Sequence, residues 1–201
     1  MLSFRLKRLI AAASLALAVA AGGRASAGVA GPVAQLVPDS NAAAYCTQSG
    51  GENVARYPVY GSNSSQFLRL AGDKTFCQFT SKKDGSRIHI LLETLYTTQP
   101  SLAALAYYAQ VPVGSCNGNP ASCYCTLLGG SDVFGGANDP AGGGWYNKSS
   151  EDQTLEACIF PDMSSIDSWG LAYHSAGVIR GIDLAKVLRF KNPNAAKVFR
   201  P

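Results

Sequence analysis

Cys116 stands in the turn-like Gly114-Ser-Cys-Asn-Gly118, and His174 lies downstream. A thiolate needs a neighbouring imidazole to form it and steer it, so Cys116 or Cys123 with His174 is the arrangement in this chain that spells covalent catalysis. The competing reading is a disulfide inside a turn, and the count favours it: six cysteines pair evenly and leave no thiol over. Cys116, Cys123 and Cys125 with a histidine also suggest zinc, whose structural sites want four nitrogen or sulfur ligands, but no CxxC pair is present. Gly135-Gly-Ala-Asn-Asp139 has the look of a calcium-binding glycine–aspartate turn; that device works as a stacked array, and here one imperfect copy stands alone. Glu151-Asp152 and Glu156 could pose as an acid pair, yet nothing near them in sequence would shift a pKa. Asn63-Ser-Ser65 and Asn147-Lys-Ser149 match the glycosylation sequon, which is common by chance. No catalytic residue, cofactor motif or metal set is therefore assigned from the sequence.

The cysteines are more informative as a framework. Asn41-Ala-Ala-Ala-Tyr45-Cys46 before Gly50-Gly51 is echoed by Asn119-Pro-Ala-Ser-Cys-Tyr124-Cys125 before Gly129-Gly130. In each copy a second cysteine follows about thirty residues later inside Cys-x-Phe, at Cys77 and at Cys158. The repeat selects one pairing out of the many that are arithmetically open: Cys46 with Cys77 and Cys125 with Cys158, leaving Cys116 for Cys123. Cys123 and Cys125 lie two residues apart on a helix, on different faces, and so require different partners.

The ends and the charge set the context. Arg5, Lys7 and Arg8 precede an apolar run, Leu9–Ala21, that closes in Ala25-Ser-Ala27, so residues 1–27 read as a signal peptide cleaved before Gly28. An exported chain meets an oxidising compartment, where three disulfides are expected. The run falls short of a membrane span, no later segment reaches one, and no transmembrane segment is expected after cleavage. Of seventeen basic residues four fall in 1–27, which leaves thirteen against thirteen acidic ones. A neutral chain argues against a nucleic-acid partner. Six of those bases lie in 180–201 against Asp183 alone, and Arg180, Lys186, Arg189 and Lys191 are the candidates for weak contact with an acidic surface; the competing reading is a solvated tail.

Elements must position these residues. Asn41 and Asn119 suit helix N-caps, Pro120 suits the first helical turn, and the two Gly-Gly pairs stop each helix. Val54–Tyr60, Gln66–Leu70, Thr75–Phe79 and Leu155–Phe160 read as strands, with a glycine-rich loop from Gly129 to Gly144. Ile88, Leu91, Leu92 and Leu95 recur at helical spacing, as do Ile166, Trp169 and Tyr173, predicting amphipathic helices opened by Ser86 and by Ser164 or Ser165. Ser101–Gln110 reads as a connecting helix, and Gly181 with Pro193 limits any helix in Ile179–Phe190 to about two turns, too short for a lytic helix. The expected fold class is α+β: two tandem disulfide-braced modules, each a helix, a small antiparallel hairpin or sheet, and a helix. The expected division is lead-in 28–40, first module 41–99, connecting helix and loop 100–118, second module 119–178 and basic tail 179–201. Modules of this size bury little alone, so they are expected to pack through Leu91, Leu95, Leu102, Leu105, Trp169 and Tyr173; two independent beads are the alternative.

Asn119-Pro-Ala, Tyr124-Cys125, Gly129-Gly130, Cys158-Ile-Phe-Pro-Asp162, Ser164 and Trp169 together carry a resemblance. The stretch 119–177 resembles a short bacterial envelope domain of unknown function found in proteins often labelled hemolysins, and 41–96 resembles it more weakly. The family pattern places glycine at Met163, glutamate at Ser168 and a second cysteine pair at Ile166 and near Ala176, so the resemblance implies apolar packing here in place of a crosslink. It implies a shape and an envelope setting, with no catalytic residues to carry over. The functional expectation is an exported, non-enzymatic binding or structural protein whose partner is an envelope component or protein. The alternatives are an inhibitor of exported hydrolases, against which the glycine-rich loop counts, and the thiol enzyme.

Overall fold

The computed structural model describes residues 39–61, 67–132, 144–150 and 152–194. Residues 1–38, which hold the proposed signal peptide, lie outside that range, as do Asn63-Ser-Ser65, Gly135–Asp139 and Glu151.

Helix α1 (Ser40–Gln48) is capped by Asp39, whose carboxylate accepts from the Asn41 N–H at 2.9 Å, so the cap lies two residues before the expected Asn41. Strand β1 (Glu52–Tyr60) follows, then the two-residue β2 (Leu68–Arg69), β3 (Lys74–Thr80) and β4 (Arg87–Leu91). Helix α2 (Leu92–Tyr96) leaves β4 directly and α3 (Leu102–Ala109) is capped by Ser101. Helix α4 (Pro120–Leu127) has Asn119 as N-cap, accepting from Ala121 N–H at 2.9 Å, and proline at its first position. Then come β5 (Gly144–Tyr146), β6 (Thr154–Leu155), β7 (Ala157–Ile159), β8 (Ser165–Asp167), α5 (Ser168–Ser175) and the single turn α6 (Leu184–Val187).

The strands make one antiparallel sheet in the order β6-β5-β1-β3-β4-β8-β7, with β2 beside β1. One face carries the helices. Phe79, Ile88, Ile90 and Ile166 pack there with apolar residues from all six helices in a single cluster. Because strand side chains alternate, Phe76, Leu91, Trp145, Leu155 and Ala157 form a second, smaller cluster on the opposite face. The fold is thus a mixed α+β structure with an antiparallel sheet and three disulfides.

Several expectations change. The helical spacing of Ile88–Leu95 resolves into strand β4 followed by α2, and that of Ile166–Tyr173 into β8 followed by α5. A strand covered on both faces loses its polar alternation, and β-branched Ile88, Ile90 and Ile166 suit it better than a helix. Leu155–Phe160 splits at Glu156 into β6 and β7. Of the residues expected at the shared core, Leu95 is buried in the helical cluster and Trp169 packs against it; Leu91 lies in the second cluster, while Leu102, Leu105 and Tyr173 are each about 40% exposed. The basic segment is anchored rather than free through α6, since Leu184 and Leu188 are fully buried and Phe190 meets Tyr108 edge-on. The sheet and the helical cluster draw on both halves of the chain, which excludes independent beads.

The bridges are Cys46–Cys77, Cys125–Cys158 and Cys116–Cys123. The first joins α1 to β3 and the second α4 to β7. Behind each helix a glycine, Gly50 at φ 87° or Gly129 at φ 85°, turns the chain, and a second glycine follows. A Cβ on Gly51 would lie 2.3 Å from the Cys77 sulfur, and one on Gly130 would lie 2.4 Å from that of Cys158. The Gly-Gly pairs therefore do two jobs, one conformational and one steric.

Candidate functional site

The second face of the sheet bears an unexpected row of polar side chains. Glu52 on β1 is paired with Gln78 on β3, and Gln78 with His89 on β4. One step from the Ile90–Ile166 pair, the same register sets His89 opposite Asp167 on β8. Four strands thus contribute four same-face neighbours, running from exposed Glu52 to buried Asp167.

His89, only 2% exposed, is held from both sides. Its Nδ1 lies 3.2 Å from Asp167 Oδ2, and its Nε2 lies 2.9 Å from the Gln78 side-chain amide and 3.4 Å from Arg56 Nη2. A carboxylate accepts, so Nδ1 carries a proton. Asp167 is itself fixed, because its Oδ1 accepts from the Gly170 N–H at 2.9 Å as the N-cap of α5.

Arg56 is 1% exposed and ties the row to β5 and the segment that follows it. Its Nη1 donates to the carbonyls of Trp145, Asp152 and Gln153 at 3.1, 2.8 and 3.2 Å, and its Nη2 to Ser150 Oγ at 3.0 Å. Burial pulls the guanidinium down to about 10, against the opposing pull of Asp152 and then Asp167, so it stays charged at neutral pH. Asp152 is held by Arg87, whose Nη1 is 3.2 Å from both its oxygens.

Above this network opens a cleft of about 480 Å3, walled by Glu52, Gln78, Thr80 and Arg87 of the sheet and by Asn147, Ser149 and Ser150 of the following turn. The turn is fastened from within: Asn147 Nδ2 donates to Ala55 O, and Ser149 N–H to Asn147 Oδ1. The arrangement can offer hydroxyl, amide, guanidinium and carboxylate groups to a polar ligand. His89 lies beside Gln78 on the same face, buried from solvent, and braces the Gln78 side chain.

The residues singled out from sequence are placed elsewhere. Cys116 and Cys123 are bonded to each other, and all six cysteines are paired, which leaves no thiol as a nucleophile and no thiolate for zinc. His174 stacks on Tyr107 with ring centroids 3.8 Å apart and meets Gln110 Nε2 at 2.9 Å; desolvation lowers its pKa, with Asp183 pulling the other way. Among the described residues no cluster of His, Cys, Asp or Glu is placed to hold a metal ion, and no helix is long and apolar enough to cross a membrane. Glu156 accepts from Asn119 Nδ2 at 2.9 Å, a local contact beside the α4 cap.

Of the four basic candidates, Arg189 lies over Tyr96 at 4.1 Å and Arg180 over Tyr173 at 5.3 Å, while Lys191 Nζ donates to the carbonyls of Ala185 and Lys186. Lys186 sits in the last turn of α6. Arg189 and Lys191 are thus engaged in fastening the segment to the body. Arg56, Gln78, His89 and Asp167 were not anticipated; the available signal was a charged or polar residue set between apolar ones, as His89 is between Ile88 and Ile90.

In comparisons with known proteins, no family model, no curated protein and no solved structure matches this chain.

Proposed function

We propose that this chain is an exported, non-enzymatic binding or structural protein of a bacterial envelope, descended by duplication of one disulfide-braced module and related to the short envelope domain of unknown function it resembles. The observation that carries the reading is the matched seating of two glycines against two disulfides. Gly51 and Gly130 each donate N–H to the first cysteine of the bridge at 2.9 Å and each would drive a Cβ into its sulfurs. Registers support it as well. The Glu52–Gln78 pair stands to Cys46–Cys77 as the Ser131–Ile159 bridge stands to Cys125–Cys158, and Cys77–Ile90 answers to Cys158–Ile166. In both halves a helix opens two residues beyond that isoleucine, at Leu92 and at Ser168. Met163, where the family pattern has glycine, takes a φ of 64°, the conformation that glycine serves.

Fully paired cysteines favour an oxidising compartment. The binding reading rests on the polar cleft, whose turn is tied to the sheet through Arg56 and Asn147.

Fractionation of the source cell with mass spectrometry of unreduced digests tests the proposal. The expected result is an envelope or extracellular protein beginning at Gly28 with bridges 46–77 and 125–158; a reduced cytoplasmic protein, or bridges from one half to the other, would overturn it.

A further inference from the structure

Resting on the binding reading above, we propose that the cleft over the Arg56–His89–Asp167 network is a site for a neutral saccharide. Its charges are balanced. Its lining holds one charge of each sign, Arg87, itself held by Asp152, and Glu52, so an anion would meet the Glu52 carboxylate and a cation the Arg87 guanidinium. What remains for recognition is a set of short polar side chains: Gln78, Thr80, Ser149 and Ser150 around Arg87 and Glu52. A sugar hydroxyl both donates and accepts, so adjacent hydroxyls can bridge such groups without a net charge. Ser150 illustrates the fit: its Oγ already accepts from Arg56, which leaves its hydroxyl proton to be offered outward.

The volume of about 480 Å3 falls within the ~300–1,000 Å3 of small-molecule sites, but most such sites have largely apolar walls. Among the described residues the apolar lining is Val54 and Ala55, which suits a hydroxyl-rich ligand better than a large apolar one. Preorganisation adds to the case, because Arg56 holds the turn through the carbonyls of Asp152 and Gln153 and through Ser150.

The test is a titration of 15N-labelled, disulfide-intact full chain with cellotriose, chitotriose and maltotriose at millimolar concentration, with triglycine and inorganic phosphate as further arms. At least one trisaccharide should shift the signals of Gln78, Thr80, Arg87, Ser149 and Ser150. Arg87→Ala and Ser149→Ala should each weaken it about fivefold to tenfold, and Arg180→Ala, away from the cleft, should leave it unchanged. Ser149→Ala guards against a folding defect in the arginine variant. Shifts in the cleft from triglycine or phosphate alone would overturn the saccharide and leave the cleft as a binding site. Saccharide shifts elsewhere, or none from any probe, would overturn the proposal, and the latter would remove the binding reading with it.

Discussion

Two glycines and a methionine show how backbone conformation and steric room are separate demands on a residue. Gly51 has no left-handed φ to satisfy; it is required because a methyl group would sit among the atoms of the Cys46–Cys77 bridge, and Gly130 has the same duty at Cys125–Cys158. Disulfide sulfurs tied at both ends to a helix and a strand cannot move aside. Gly51→Ala and Gly130→Ala are each expected to cost about 1–3 kcal/mol in urea denaturation, the range for forced overpacking. Met163 is the converse case: it is 64% exposed and sits at a φ of 64° that a side chain resists. Met163→Gly should raise stability by about 0.5–1 kcal/mol, since relief of the left-handed strain exceeds the entropy that glycine adds to the unfolded chain. A loss of stability in the same assay would show that Met163 contributes packing that outweighs its backbone.

At the scale of elements, the bridges are unequal. Cys125–Cys158 spans 33 residues and lies wholly in the interior, while Cys116–Cys123 spans 7 and lies toward the surface. Loop entropy alone assigns roughly 3–4 kcal/mol to the long bridge and less to the short one. Cys125→Ala should therefore lower the melting temperature far more than Cys116→Ala, and equal shifts would count against that ranking. The strand-to-helix junctions at Leu91 and Asp167 carry a related lesson. Local periodicity at 88–95 suggests a helix throughout, but a chain passing from a two-sided interior strand into a helix shows apolar residues at nearly every position, and period alone cannot say where one ends. Asp167 marks its junction chemically, with one oxygen capping α5 and the other holding His89.

The molecule as a whole responds to pH through groups the fold has buried. His174, stacked on Tyr107, has its pKa lowered by desolvation, so the unfolded chain binds a proton more readily than the folded one. The stability this confers is complete above the ordinary histidine value of about 6.5 and is lost as pH falls from there through the lower folded value. Denaturation between neutral and mildly acidic pH should show that decline. His174→Phe, which keeps a stacking ring without a titrating nitrogen, should flatten it, and an unchanged slope would place the effect elsewhere.

What the chain determined by itself was local: caps at Asn119 and Pro120, glycine stops, an α+β mixture, and a cysteine spacing repeated closely enough to suggest its own pairing. Such features depend on interactions within a few residues, or on a covalent partner that the repeat points to. Tertiary structure alone decided the order of strands, and with it the row Glu52–Gln78–His89–Asp167 and the reach of Arg56 to a turn about ninety positions away. Those neighbours come from four strands, and which strands lie side by side depends on how the entire sheet covers its two faces, a sum no single stretch of sequence contains.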